Sequence, residues 1–130
     1  MRIEKTIAID TTVARVYAAW VSNDTIIPPA TRMDIDARVG GHYILYATTP
    51  EFSARNKGTF SVVEPNRRLV YSWEWDNDGE VSTIDVRFTA KDDQTVVELV
   101  HSGFHSKGSV SQHDAGWDHY FAGLAAYLAE

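Results

Sequence analysis

Ile3, Ile7 and Ile9 alternate with polar neighbours across residues 2–10, the period of a strand with one buried face. Asp10, Thr11 and Thr12 then offer an N-cap. After them Val13, Val16, Tyr17 and Trp20 fall at i, i+3, i+4 and i+7, an apolar helical stripe. Asn23-Asp24 and Pro28-Pro29 end that helix, with room for one extra short helical turn. From 34 to 102 the pattern becomes that of strands. Gly40-Gly41 marks a bend before a strand over 42–47, and 48–57 reads as a long loop. A strand over 58–63 stops at the turn signal Pro65-Asn66. Residues 68–76 alternate, with Leu69, Tyr71, Trp73 and Trp75 on one face and Val70, Ser72 and Glu74 on the other. Asn77-Asp78-Gly79 predicts a hairpin turn. Ile84, Val86 and Phe88 then share a face, Lys91-Asp92-Asp93 turns the chain, and Val97, Leu99 and His101 share a face of 95–102. A Gly/Ser-rich loop over 102–111 leads to a final helix over 112–128. Its stripe is Trp117, Tyr120, Phe121, Leu124 and Leu128, and Ser111 with Asp114 resembles a capping box. The order β-α-(α)-β-β-β-β-β-β-α predicts a single α+β domain over 1–130. Its antiparallel sheet needs a cover on one face, which the final helix supplies.

Composition narrows the function. A chain of 130 residues buries about two-thirds of its unfolded surface, enough for a core without disulfides or structural metal. It has no cysteine, which excludes a disulfide scaffold, a Cys-ligated zinc site, an iron–sulfur centre and a thiol nucleophile. The net charge of −6 and the lack of a basic stripe argue against a nucleic-acid partner. The longest apolar run is six residues, against the ~20 that cross a bilayer, so no membrane partner is expected. Met1-Arg2-Ile3-Glu4-Lys5 is too polar to start a secretory signal, and the expected location is the cytoplasm.

Candidate chemistry is sparse. Tyr71, Trp73 and Trp75 should look toward Trp117, Tyr120 and Phe121, either as plain core or as the wall of an apolar pocket. His101 should point inward. It is then either a buried histidine satisfied by a carbonyl or a tyrosine hydroxyl (Tyr43, Tyr71 or Tyr120), or a polar handle or base for a ligand. A base needs an orienting acid, yet Glu74, Asp85 and Glu98 fall on the opposite face, so no catalytic residue is assigned. The late histidines His101, His105, His113 and His119, with Asp114 and Asp118, lack metal-ligand spacing. The two aspartates should lie on a solvated helix face, and no metal is expected. No dinucleotide fingerprint, phosphate loop or serine elbow is present, and no cofactor is expected.

The strings RVGGHY (38–43), GTFSVVEPNRRLVYSWEW (58–75), LVHSGF (99–104) and GW (116–117) together resemble the activator-of-heat-shock-protein-90-ATPase homologue family. That family lies within the START-like, helix-grip (SRPBCC, birch-pollen-allergen-like) superfamily. The resemblance implies a curved antiparallel sheet wrapped around a long C-terminal helix, with a cavity between them. It does not fix a function, since lipid carriers, hormone receptors, polyketide cyclases and co-chaperone domains share the fold. Where related chains carry an aromatic cluster after the first helix, this one has Ile26-Ile27-Pro28-Pro29-Ala30, which removes bulk from one mouth of the cavity. The separate N-terminal domain of the eukaryotic co-chaperones is not part of this sequence, so chaperone contact rests on family analogy alone.

The expected function is therefore a binding protein, a monomer or homodimer, that holds an apolar or aromatic small molecule. The candidate contacts are Tyr43, Phe60, Tyr71, Trp73, Trp75, Val86, Phe88, His101, Trp117, Tyr120, Phe121 and Leu124. The alternatives are a cavity enzyme of cyclase or hydrolase type and a co-chaperone-like interaction module. The first needs a polar pair inside the pocket, and the second an exposed apolar patch outside it.

Overall fold

The structure, a computed structural model, describes residues 1–51, 53–76 and 78–129. The chain runs β1 (Arg2–Ile9), α1 (Val13–Trp20), β2 (Arg32–Ile35), β3 (His42–Thr48), β4 (Ser53–Glu64), β5 (Arg68–Trp75), β6 (Ser82–Lys91), β7 (Gln94–Ser102) and α2 (Lys107–Leu128). All seven strands join one antiparallel sheet in the order β1-β7-β6-β5-β4-β3-β2. Sequential strands pair as hairpins, and β1 returns to the far edge beside β7. The sheet curves and α2 lies across its concave face, the helix-grip arrangement expected from the sequence.

The alternation read from the sequence sets the inner face. Ile3, Tyr43, Phe60, Leu69, Tyr71, Trp73, Ile84, Val86, Phe88, Val97 and Leu99 are buried there. They meet Trp117, Phe121, Leu124 and Leu128 of α2 and Val16, Tyr17 and Trp20 of α1. Trp20 joins the layers: it stacks on Trp117 at 6.0 Å between ring centroids, and its Nε1 donates to the Tyr71 hydroxyl at 3.2 Å. On the outer face Arg68 holds Asp85 through two hydrogen bonds, of 3.1 and 2.8 Å.

Three boundaries differ from the sequence reading. The strand expected from 58 begins at Ser53, because residues 53–57 pair with β3 from Thr48↔Ser53 to Ile44↔Lys57. Most of the expected loop 48–57 is therefore sheet. Within β4, a Cβ on Gly58 would stand 1.7 Å from the Ser72 carbonyl oxygen, and a bulge follows between Phe60 and Val62. Both features let this 12-residue strand bend. The final helix begins at Lys107 rather than 112, capped by Ser106, whose Oγ accepts from Ser109 N at 3.1 Å. Ser111 and Asp114, expected as a capping box, lie inside it. The extra helical turn after α1 is absent, and the described residues 21–31 form turns. At α1 the cap is Thr12, accepting from Arg15 N. The hairpin expected at Asn77-Asp78-Gly79 falls partly outside the described residues.

Asp114 and Asp118 stand half-exposed on α2, and both hold the Lys5 ammonium of β1, at 2.6 and 2.8 Å. The face expected to be merely solvated thus ties the helix to the sheet edge. At this exposure each pair contributes about 0.2–1 kcal/mol.

Candidate functional site

Between α2 and strands β3, β4 and β5 lies a cavity of about 530 Å³, within the range of small-molecule sites. Tyr43 and Leu45 of β3, Ala54 of β4 and Trp73 and Trp75 of β5 form its sheet side. Ser109, Gln112, His113, Gly116, Trp117, His119 and Tyr120 form its helix side. Residues 27–30 close one flank and Asp76, Asp78 and Glu80 the mouth. Each ring arrives by a periodicity visible in the chain: Trp73 and Trp75 are two apart on a strand, and Trp117 and Tyr120 three apart on a helix. Trp73 lies 6.0 Å from Trp117 across the layers, 6.0 Å from Trp75 along the strand and 5.9 Å from Tyr43 on β3.

The structure thus brings Tyr43, Trp73, Trp75, Trp117 and Tyr120 together around the cavity. The other candidates, Phe60, Tyr71, Val86, Phe88, His101, Phe121 and Leu124, are buried in the core and do not line it. Residues 27–30, flagged in the sequence only as a loss of bulk, are themselves a wall. Their approach to α2 depends on Gly123, where a Cβ would meet Ile27 Cγ2 at 2.4 Å. Gly116, by contrast, faces open space in mid-helix, and a Cβ there meets nothing within 4 Å. In the sequence Gly116 stood only as part of the GW motif, and the acidic residues of the mouth carried no signal of a site. A glycine in the interior of an otherwise regular helix costs roughly 0.5–1 kcal/mol against alanine, and that cost was the available signal.

His101 is fully buried, and its partners fix its state. Trp117 Nε1, which can only donate, lies 3.0 Å from His101 Nδ1, so Nδ1 is the acceptor and the proton sits on Nε2. Nε2 then donates to Ser82 Oγ at 2.6 Å, and Ser82 Oγ donates to the Trp73 carbonyl at 3.3 Å. The partners are a serine and an indole, not the tyrosine hydroxyl or carbonyl expected. Burial, reinforced by His113 and opposed by Glu80, pushes the imidazole pKa down to about 3. A neutral ring with both nitrogens committed has no site left for a ligand proton, so His101 acts as a brace that orients Trp73 and Trp117. The phenols of Tyr43 and Tyr120 are held above their ordinary pKa by burial and stay protonated.

The mouth is acidic. Glu80 accepts from His105 N at 2.8 Å and from the Ser109 hydroxyl, and these bonds hold its carboxyl below the usual range, the serine contributing most. Among the described residues lining the cavity there is no lysine or arginine. No group of three or more His, Asp or Glu side chains among the described residues could hold a metal ion.

The family model described as activator of Hsp90 ATPase homolog 1-like protein matches residues 10–129. Solved structures share the fold over almost the whole chain. A protein from Chromobacterium violaceum has a TM-score of 0.85 and 20% identity, covering 97% of this chain and 95% of its own. An HSP90 activator from Plasmodium falciparum has a TM-score of 0.83 and 19% identity, with 99% and 96% covered. DynU16, a putative protein of the dynemicin biosynthetic locus, has a TM-score of 0.83 and 18% identity over 98% of this chain and 47% of its own. At these identities the likeness carries the fold alone. No curated protein sequence matches the chain.

Proposed function

The chain belongs to the activator of Hsp90 ATPase homolog 1-like family, and on that premise we propose that it binds a flat, largely apolar small molecule between its sheet and α2. The observation that carries this reading is the cavity of about 530 Å³ with Tyr43, Trp73, Trp75, Trp117 and Tyr120 on its walls. Rigid rings offer large contact area at little cost in side-chain entropy. The acidic mouth disfavours anions, so the ligand class is neutral rather than carboxylate-bearing. His101, fully buried behind the site, is neutral with both ring nitrogens bonded and supplies no base to a ligand.

Burying about 500 Å² of ligand and pocket surface gives roughly 12 kcal/mol of gross hydrophobic gain. Association and ordering remove at least about 4–6 kcal/mol, which leaves a Kd from about one to tens of micromolar. A tryptophan-fluorescence titration with naphthalene and with decan-1-ol tests it. Naphthalene should change the emission with a Kd below about 100 µM and bind more tightly than the alcohol. Gly116→Leu, which places a side chain in open space within the cavity, should abolish the response while leaving the fold intact. No saturable response from either compound would remove the proposal.

A further inference from the structure

Among the described residues, buried side-chain polar atoms without any hydrogen-bond partner occur on Thr25, Asn56, Trp73 and His113. Asn56 stands out because both its Oδ1 and its Nδ2 are unpaired and the residue is 0% exposed. An amide buried in this way is destabilising for each group left unmet. Its place in the sheet is fixed by register. Asn56 lies opposite Leu45 on β3 and opposite Trp75 on β5, and directly opposed residues share a face. Ala54, two residues earlier on β4, shares that face as well. Leu45, Ala54 and Trp75 all line the cavity, so Asn56, which is covered and does not itself line it, lies directly beneath its floor. Trp73, 7% exposed, is the diagonal neighbour on β5, lines the same cavity and carries an unpaired Nε1–H. Beneath the floor and on the wall there are thus one acceptor and two kinds of N–H donor, all unspent.

We infer that the ligand presents a lactam-like edge, a carbonyl beside an N–H, on its flat apolar frame, and that Asn56 reads that edge. The inference rests on the reading of the cavity as a small-molecule site. Asn56 Oδ1 accepts from the ligand N–H. The ligand carbonyl accepts from Asn56 Nδ2 and, on its second lone pair, from Trp73 Nε1. Leu45 and Trp75 are only half-buried, and a rotamer change in either uncovers the amide as the ligand seats. A hydrocarbon of the same outline fills the cavity but leaves all three groups unmet. Such a site discriminates strongly, because the wrong ligand strands polar groups that are already out of water.

The test uses two flat bicyclic probes of similar outline, 2-quinolinone with a lactam edge and naphthalene without one, titrated against wild type and Asn56→Leu. Leucine nearly matches asparagine in shape and removes the unpaired amide, so the variant should unfold at higher denaturant than wild type. The expected result is at least a tenfold loss of 2-quinolinone affinity with naphthalene unchanged or tighter. Trp73→Phe, which removes only the indole donor and some ring area, should weaken 2-quinolinone more than naphthalene by severalfold. It gives the same reading should Asn56→Leu fail to fold. Equal changes for both probes in both variants would overturn the role of Asn56 while leaving the cavity reading intact. Failure of both probes to bind wild type would overturn the cavity reading and this inference with it.

Discussion

His101 shows how one side chain's surroundings decide between chemistry and support. The same imidazole in a solvated cleft with a carboxylate partner would titrate near neutrality. Here Trp117 Nε1 blocks one nitrogen and Ser82 occupies the other, and burial holds the ring neutral with its pKa lowered to about 3. The consequence is a pH dependence of stability with a definite sign. As pH falls below about 6.5 the unfolded chain binds a proton at this residue and the folded chain does not. Stability is therefore complete above that pH and falls by about 1.4 kcal/mol per unit toward the folded pKa, or about 2 kcal/mol between pH 7 and pH 5. Urea unfolding of wild type and His101→Gln at those two pH values should show that increment in the first and not in the second. Equal slopes would mean that the ring is protonated in the fold. The inward direction of His101 was legible from its alternation with Val97 and Leu99. Its partners were not, since Ser82 and Trp117 meet it only through the hairpin to β6 and the packing of α2.

At the scale of elements, strands with strong alternation were legible and those stabilised from outside were not. β5 reads directly, because Leu69, Tyr71 and Trp73 are buried at period two. The first half of β4 carries no such signal: its inward positions are Ala54 and Asn56, and its outward ones are polar. Only pairing with β3 makes it a strand. The start of α2 was hidden in the same way. Lys107, Gly108 and Ser109 have loop-like composition, but Glu80 ties His105 N and the Ser109 hydroxyl from the neighbouring mouth while Ser106 caps the helix. Ser106→Ala should therefore cost about 1 kcal/mol in chemical denaturation, as the loss of an N-cap does. Ser111→Ala, inside the helix, should be neutral or slightly stabilising. The reverse pattern would put the helix start back at Ser111.

For the whole molecule, strand alternation and the helical stripe yielded the α+β order, and with the motifs they pointed to the family. They could not yield depth. Period two says which face a ring is on, not whether another layer covers it. Tyr71 and Phe121 lie on the correct faces but are covered by Trp20, which comes from α1 and was read only as part of that helix's stripe. The cavity opens instead beside residues 27–30, toward Trp75 and Tyr120. The central claim, that a ligand occupies this place, is tested most directly by the four indole N–H signals in an NMR titration with 2-naphthol. Trp73, Trp75 and Trp117 line the cavity, whereas Trp20 does not line it and gives its N–H to Tyr71. The account predicts saturable shifts in the first three signals with the Trp20 signal nearly still. Movement of the Trp20 signal alone, or of none of the four, would contradict it.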